Sequence, residues 1–157
     1  SDERFVDKNS KNSNIKMCKK YLLDKIKISK NQIYEISTDK ISIKKSVFDY
    51  EDKIKKYFLR KKVCFNLTLL GMGKDGHIAS LFPNSKNLYK KFIAKPVTRN
   101  DFKRITLSLN IINNSKKILL WLNNKSISKT YLKIKKKGKK IPVNNLNNRK
   151  TIIYKIN

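Results

Sequence analysis

The sequence predicts a protein of the α/β class with a mainly parallel sheet, because strand-like and helix-like segments alternate along the chain. Two apolar runs, 63–70 and 118–122, have the length and the flanks of strands buried in such a sheet. Other segments repeat apolar residues at helical spacing. With 157 residues, the chain is most simply one domain around a single hydrophobic core.

The first half of the chain contains two segments with helical periodicity. An apolar stripe predicts a helix over 13–28, with Ser13 or Asn14 as its N-cap, and a second stripe predicts a helix over 46–60. A short strand is predicted between them, over 32–36. The two stripes consist of Ile15, Cys18, Leu22 and Ile26, and of Val47, Tyr50, Ile54, Tyr57 and Phe58.

The middle of the chain is predicted to pass from a strand through a turn into a helix. The run 63–70 is almost continuously apolar, which predicts a strand buried on both faces, and it ends at Gly71. A glycine turn follows, and a helical start is expected near Asp75 that stops before Pro83.

The second half is predicted to hold three strands and one helix. Residues 104–109 alternate in polarity as a strand does, and the polar segment 110–116 leads to the apolar strand 118–122. A helix is expected from Ser126, as its cap, to about Lys137, with Gly138 as the residue that ends it. Residues 151–156 form the last predicted strand.

The charge of the chain is strongly positive. Thirty-nine basic residues face 11 acidic ones, a net charge of +28, and 39 − 5 = 34 of the basic residues are lysines. Such a charge is typical of nucleic-acid-binding proteins. However, arginine reads bases and phosphates better than lysine does, and the lysines are spread from end to end among asparagines and isoleucines. We therefore favour a general surface property, which would also attract an anionic substrate, over a specific polyanion-binding face.

Cysteine usage and the ends of the chain indicate the compartment. Cys18 and Cys64 are far apart and form no C-x-x-C pair, which predicts two buried free thiols in a reducing cytoplasm. The sequence contains no recognisable signal peptide or membrane span. It opens abruptly at Ser1 on a charged motif, and we expect that an N-terminal portion is missing.

The glycine turn after the first apolar strand is the best candidate for a catalytic site. Gly71, Gly73 and Gly76 are three of only four glycines, and ligands of α/β sheets bind beyond the carboxyl ends of strands. The only histidine, His77, lies in this turn two residues after Asp75. An imidazole can act as a general base near neutral pH, and a carboxylate can orient it. A helix beginning after the turn would present N–H groups to an anion.

One simpler interpretation of the turn stays open. The histidine could merely cap a helix in a tight turn. The glycines of the turn have the spacing of the dinucleotide-binding G-x-G-x-x-G, but we do not interpret it as that fingerprint, because the sequence offers no matching βαβ context with a distal acid.

The extended motif Gly-Met-Gly-Lys-Asp-Gly-His-Ile-Ala-Ser-Leu-Phe-Pro, residues 71–83, resembles the signature of the 6-phosphogluconolactonases. Further similarities follow in the same order along the chain: Asp2-Glu3-Arg4 with Ser13-Asn14, the strand from Arg104 to Leu109, Lys129, and Ile141-Pro142 with the closing strand. Lys74 and Ile78 replace a proline and a threonine of the family, and neither change removes a reacting group. The family's N-terminal portion, with a Gly-Gly-Ser phosphate-binding loop, has no counterpart.

The resemblance implies a three-layer α/β/α, modified Rossmann-like fold. It also implies hydrolysis of 6-phosphogluconolactone to 6-phosphogluconate in the pentose phosphate pathway, without metal or cofactor. Residues 1–157 would then be a single α/β domain that lacks its N-terminal strands and the Gly-Gly-Ser loop. We expect a cytoplasmic monomer whose partner is a small sugar-phosphate lactone, with no specific nucleic acid and no membrane.

The resemblance also implies the role of each site residue. His77 would be the general base on water, with Asp75 holding it, and backbone N–H groups around Gly71 and Gly73 would stabilise the oxyanion. The phosphate would be bound by cationic side chains, for which the candidates are Arg4, Arg104 and Lys129. Asp2 and Asn14 are placed in the substrate site, and Asp2 and Glu3 are expected to shape it rather than react. Each of the three cations could also be an ordinary surface charge.

Other functions remain possible at this point. A glucosamine-6-phosphate deaminase or sugar-phosphate isomerase would share the fold and the Asp-Gly-His turn. Deaminases, however, have Phe-Asn-Glu-Pro where this chain has Ser80-Leu81-Phe82-Pro83, so the glutamate that assists ring opening is absent. A basic polyanion-binding protein, or an inactive fragment that cannot fold alone, are the alternatives from other classes.

Overall fold

The computed structural model describes residues 1–40, 42–85, 91–138 and 140–155. The chain divides into two compact units. The N-terminal unit comprises residues 2–63 and 94–106, and the motif unit comprises Ser1 together with residues 64–93 and 107–157.

The described helices and strands follow one another in this order: β1 (Asp2–Arg4), α1 (Asn14–Tyr21), α2 (Ile43–Tyr57), β2 (Leu67–Gly71), β3 (Ala94–Thr98), β4 (Lys103–Leu107), α3 (Leu109–Asn114), β5 (Lys117–Leu122), α4 (Lys125–Lys135) and β6 (Thr151–Lys155). Single 3₁₀ turns lie at Leu23–Lys25, Lys30–Gln32 and Pro142–Asn145. Ile156, at the end of the predicted last strand, lies outside the described residues.

The N-terminal unit contains a small sheet in the order β1-β4-β3, in which β1 and β4 are antiparallel. The register places Arg4 opposite Arg104. The buried carboxylate of Glu3 on β1 accepts hydrogen bonds from the backbone N–H groups of Asn14 and Ile15, each at 2.7 Å. These N–H groups have no partner within a helix, so a carboxylate here satisfies them and interacts favourably with the helix dipole.

Helix α1 begins where the sequence predicts, with the Ser13 side chain accepting from the Lys16 N–H, but it ends at Tyr21 rather than at residue 28. Its predicted apolar stripe is not buried, since Leu22 and Ile26 are about half exposed. Without a packed stripe a short helix gains little stability, and the chain continues in a 3₁₀ turn. The predicted strand over 32–36 is wrong, because residues 33–36 pair with no strand.

Helix α2 confirms the second predicted helix, shifted three residues toward the N-terminus because Ser42 caps it through a hydrogen bond from the Lys45 N–H. Its buried residues include Tyr50 and Ile54, two members of the predicted stripe. Tyr57, a third member, is exposed.

The motif unit is built on a parallel three-stranded sheet in the order β2-β5-β6. The register aligns Leu69 with Leu119 and Leu119 with Ile152. One face of this sheet is the core of the unit, where Ile118, Leu120 and Leu122 are fully buried. The parallel sheet and the alternation of strands and helices confirm the predicted α/β class.

The other face of the parallel sheet is apolar and exposed, so the prediction that the 63–70 strand is buried on both faces is wrong. β2 alternates between exposed and buried residues, and no described residue covers its outer face. The exposed residues of this face, each roughly half accessible, are Leu67, Leu69, Trp121, Ile152 and Tyr154. An uncovered parallel sheet of this composition is unusual, because both faces are normally packed.

Two further elements of the motif unit differ from the prediction. The segment 110–116, described from the sequence only as polar, begins with a helix: residues 109–114 form α3, since Ser108 caps it and Ile111 and Ile112 are buried. Helix α4 starts one residue before the expected cap, because the Asn124 side chain rather than Ser126 accepts the hydrogen bond from Ile127. Gly138 lies just past its end with a positive φ of 81°.

The two cysteines are free, but they are not both buried as predicted. Cys18 is exposed because it lies on α1, which buries none of its residues. Cys64 is half-buried, and its Sγ contacts the Asn114 carbonyl oxygen at 3.1 Å.

Among the described residues, no helix is long and apolar enough to cross a membrane. The prediction that residues 1–157 form a single domain lacking its N-terminal strands stays a prediction.

Neighbouring leucines of β2 provide a direct test of the uncovered sheet face. Leu70 is 3% exposed and Leu69 is 56% exposed. We expect Leu70→Ala to lower the free energy of unfolding by about 2–5 kcal/mol, because it removes packed core atoms. Leu69→Ala should lower it by less than about 1 kcal/mol, as surface substitutions do. Urea unfolding followed by circular dichroism measures both, and equal losses would mean that the outer face is covered in solution.

Candidate active site

The candidate catalytic motif folds as three short antiparallel segments, which we name the three-segment turn: Met72–Gly73, His77–Ile78 and Leu81–Phe82. Ile78 is the central residue, since it pairs with Met72 on one side and with Leu81 on the other. The Gly73 N–H donates to the His77 carbonyl oxygen at 3.0 Å, and Leu81 and Ile78 exchange backbone hydrogen bonds of 2.9 and 3.3 Å. Ile78 is completely buried, which anchors the turn in the core of the motif unit.

The helix predicted from Asp75 is not formed, and this prediction was wrong. The chain from 73 to 85 runs through turns and single bridges. Gly76, Ala79 and Asn84 have positive φ values of 84°, 48° and 60°, which interrupt any right-handed helix. No helix N-terminus is therefore available here to bind an anion, as the sequence had suggested.

His77 and Asp75 form a direct side-chain pair. His77 Nδ1 lies 2.6 Å from Asp75 Oδ1, and the same oxygen accepts the His77 backbone N–H at 3.1 Å. When the imidazole is neutral, a proton on Nδ1 can donate to this carboxylate, which leaves Nε2 as the basic nitrogen. Nε2 makes no hydrogen bond to another described residue, and the His77 side chain is 33% exposed. The ring can therefore accept a proton from a water molecule.

The Asp75 carboxylate is held in its charged form. Partial burial works to raise the pKa of Asp75, but the hydrogen bonds from the backbone and the side chain of His77 outweigh it. The resulting pKa lies below the usual value for aspartate. Asp75 is consequently ionised at neutral pH and can stabilise a positive charge on the imidazole.

Gly73 provides the space in which the imidazole lies. A Cβ atom on Gly73 would stand 2.1 Å from His77 Cε1 and 2.2 Å from Nδ1, so any side chain there would force the imidazole to move. Gly71, by contrast, has open space at the corresponding position. Gly76 is required for a different reason, its positive φ and a Cβ position 2.4 Å from Ile141 Cγ2.

The backbone donors proposed for an oxyanion are not all available. The N–H of Gly73 is already engaged with the His77 carbonyl oxygen. A role for the backbone at Gly71 stays a prediction.

In the N-terminal unit, the predicted arginines Arg4 and Arg104 lie side by side. They are opposite each other across β1 and β4, and both guanidinium groups lie over the Phe102 ring, at 5.5 and 5.6 Å from its centroid. Arg104 pairs with Asp101, and Arg4 Nη1 donates to the Asn12 carbonyl oxygen at 2.9 Å. Two guanidinium groups held on one aromatic ring can together bind a doubly charged anion, and Asp101 is paired with one of them.

Arg4 and Asn14 also line one cavity of the N-terminal unit. Its volume is about 310 Å³, and Lys11, Lys16 and Lys20 contribute to the same wall. No carboxylate lines it. The cavity therefore favours anions.

The remaining predicted residues have clear positions but less obvious roles. Glu3 holds the start of α1, and the Asp2 carbonyl oxygen accepts from the Asn14 side chain at 3.1 Å. The expectation that Glu3 does not react stays a prediction. Lys129 is exposed on α4 of the motif unit. Among the predicted residues, His77 contacts both Asp75 and Gly73 in the motif unit, and Arg4 and Arg104 are adjacent in the N-terminal unit.

Two aromatic residues at these sites were not anticipated from the sequence. The Phe82 ring packs against the His77 ring with centroids 4.7 Å apart, and Phe102 supports the two arginines. The position of Phe102 two residues before Arg104 offers no signal, because the contact depends on a register between β1 and β4 that sequence periodicity does not specify.

Comparison with known proteins identifies the family. The sequence model described as glucosamine-6-phosphate isomerases/6-phosphogluconolactonase matches residues 1–154, and the chain belongs to this family. The chain is 35% identical over 133 residues to the probable 6-phosphogluconolactonase 1 of Arabidopsis thaliana, covering 76% of this chain and 49% of the relative. It therefore spans about half the length of the curated relatives that it matches.

Solved structures agree with the fold. The 6-phosphogluconolactonase from Thermotoga maritima matches with a TM-score of 0.84 and 26% identity, over 98% of this chain and 68% of that one. A monomeric glucosamine-6-phosphate deaminase matches with a TM-score of 0.78 at 20% identity, over 97% of this chain and 69% of that one. The second likeness shows the fold alone, and both confirm the predicted Rossmann-like architecture.

Gly71 and Gly73 form a matched pair for testing the position of the imidazole. Gly73→Ala should displace the His77 ring, because its Cβ would overlap the ring, whereas Gly71→Ala should leave the ring in place. The NMR signals of the imidazole, unambiguous in a chain with one histidine, would report the movement. Unchanged His77 signals in a folded Gly73→Ala protein would contradict the described position of the ring.

Proposed function

We propose that this chain carries the hydrolytic centre of a 6-phosphogluconolactonase, with His77 as the general base. The observation that carries the proposal is the 2.6 Å contact between His77 Nδ1 and Asp75 in a turn that leaves Nε2 accessible. The names of the similar proteins support the substrate, and the pentose phosphate pathway is the corresponding metabolic setting. We further propose that the enzyme is cytoplasmic and monomeric.

The residues of the three-segment turn suit hydrolysis of a lactone. His77 Nε2 removes a proton from water as the water oxygen attacks the lactone carbonyl carbon, and the carbonyl oxygen becomes an oxyanion. Asp75 stabilises the imidazolium formed in this step. When the tetrahedral intermediate collapses, the ring carbon–oxygen bond breaks and the imidazolium returns the proton to the departing ring oxygen. His77 is neutral again once it has given this proton to the ring oxygen. The open-chain acid then releases its carboxyl proton to solvent and leaves as the carboxylate.

For the phosphate of the substrate, the proposal assigns Arg4 and Arg104, with Lys129 as a further candidate. The two arginines form the preorganised pair on Phe102, and guanidinium groups bind phosphate oxygens through paired hydrogen bonds. Lys129 has only its exposed charge to support it. The net charge of +28 would in addition attract any sugar phosphate by long-range steering.

The composition of the turn favours lactone hydrolysis over sugar-phosphate deamination. A deaminase needs a carboxylate for ring opening, and Phe82 stands where the deaminase pattern has its glutamate. The phenyl ring lies against His77 and cannot transfer a proton. Ser80 and Leu81, its neighbours, are both about 1% exposed and therefore serve the core.

Substitution of the histidine tests the hydrolytic step. In an assay of 6-phosphogluconolactone hydrolysis corrected for spontaneous opening, His77→Ala should lower kcat by about 10²- to 10⁴-fold, the usual contribution of a general base. The control is Lys74→Ala, since Lys74 is an exposed neighbour in the same turn. Hydrolysis that survives His77→Ala, or conversion of glucosamine 6-phosphate in place of lactone hydrolysis, would reject the proposal.

Substitution of an arginine tests the phosphate assignment. Arg104→Met should raise KM for the phosphorylated lactone by about 10-fold or more, because it removes charge-assisted hydrogen bonds of about 1.5–3 kcal/mol. The rate with unphosphorylated gluconolactone should not change. Arg99→Met, at an exposed arginine of the same unit, is the matched control. An equal loss with both lactones would assign Arg104 a structural role.

A further inference from the structure

The imidazole of His77 is held on two sides by its neighbours in the three-segment turn. Because Ile78 pairs with both Met72 and Leu81, the next residues along the segments also face one another: Gly73 opposite His77, and Phe82 opposite His77 on the other side. Side chains opposite each other in antiparallel segments lie on the same face and contact directly. The pairing therefore places one residue without a side chain and one aromatic residue beside the candidate base.

The observed contacts match this pairing. The Phe82 and His77 ring centroids are 4.7 Å apart at an interplanar angle of 43°. On the other side, the Cα of Gly73 lies so close to Cε1 and Nδ1 that a Cβ would overlap them. Asp75 holds the Nδ1 atom. Rotation of the imidazole about its side-chain bonds is consequently limited by Asp75 at one atom, by Gly73 beneath one edge and by Phe82 against the ring.

Phe82 is itself held in a fixed place. The preceding residue, Leu81, is about 1% exposed and exchanges two backbone hydrogen bonds with Ile78. The following residue is Pro83, whose ring restricts the backbone of Phe82 to extended conformations. Because its backbone is restricted in this way and its ring is half-buried, the Phe82 side chain has few alternative conformations.

We infer that Phe82 is a positioning residue for the proposed reaction: it fixes the orientation of the His77 ring so that Nε2 faces the attacking water. This inference rests on the proposed role of His77 as general base. Phe82 touches no reacting atom in this scheme and acts through His77. A misplaced base is costly, because displacements of about 1 Å can reduce a rate by 10²-fold.

The experiment compares Phe82→Leu and Phe82→Tyr with wild type. Phe82→Leu keeps an apolar side chain but removes the aromatic ring, so the single imidazole should lose its ring-current shift in NMR spectra and kcat for 6-phosphogluconolactone should fall roughly 10- to 100-fold, with KM unchanged. Phe82→Tyr retains the ring and should restore both the His77 signals and kcat. Phe65→Leu, at a half-buried phenylalanine of the same unit, is the matched control and should alter neither.

The possible results of these measurements distinguish failure of this inference from failure of the proposed function. A nuclear Overhauser contact between the His77 and Phe82 rings in the wild-type protein, which needs no variant to fold, is expected, and its absence overturns the inference. A normal kcat in Phe82→Leu also overturns it, because loss of the ring current alone shifts the His77 signals. If wild type shows the contact between the two rings but hydrolyses no lactone, the packing of Phe82 on His77 stands and the proposed reaction is rejected.

Discussion

The candidate site depends on the double pairing of Ile78. This completely buried residue pairs with Met72 on one side and Leu81 on the other, and everything around the imidazole follows from that arrangement. It places Gly73 under the ring and Phe82 against it, while Asp75, in the connection between two of the segments, reaches Nδ1. A flexible glycine turn thus becomes a rigid support, because its central residue is anchored in the core.

The parallel sheet that carries this turn is supported from one side only in the described residues. Its inner face is packed by fully buried residues such as Ile118 and Leu120, whereas Leu69 and Trp121 on the outer face are about half exposed. A sheet with both faces apolar and only one covered retains hydrophobic free energy that further burial would release. The side chains of the outer face accordingly contribute less to the stability of the motif unit than those of the inner face.

Sequence periodicity was sufficient for the class of fold, and the single histidine in a glycine cluster indicated the candidate base, but neither predicted the local geometry. The strand runs ending at Gly71 and at Leu122, and the helix around Tyr50, are strong patterns that burial enforces. The helix expected after Asp75 failed because a positive φ at Ala79, a residue with no such preference, cannot be read from composition. The contacts of Phe82 and Phe102 likewise depend on register, which one sequence without its pairing partners does not specify.

The close fit between Gly73 and the imidazole makes the effects of substitutions at residues 73 and 77 depend on each other. Because any side chain at residue 73 would overlap the His77 ring, a substitution there requires the ring to move or to be absent. A substitution at residue 73 should therefore cost less free energy of unfolding in a His77→Ala protein than in wild type, and the effects of the two substitutions should not be additive.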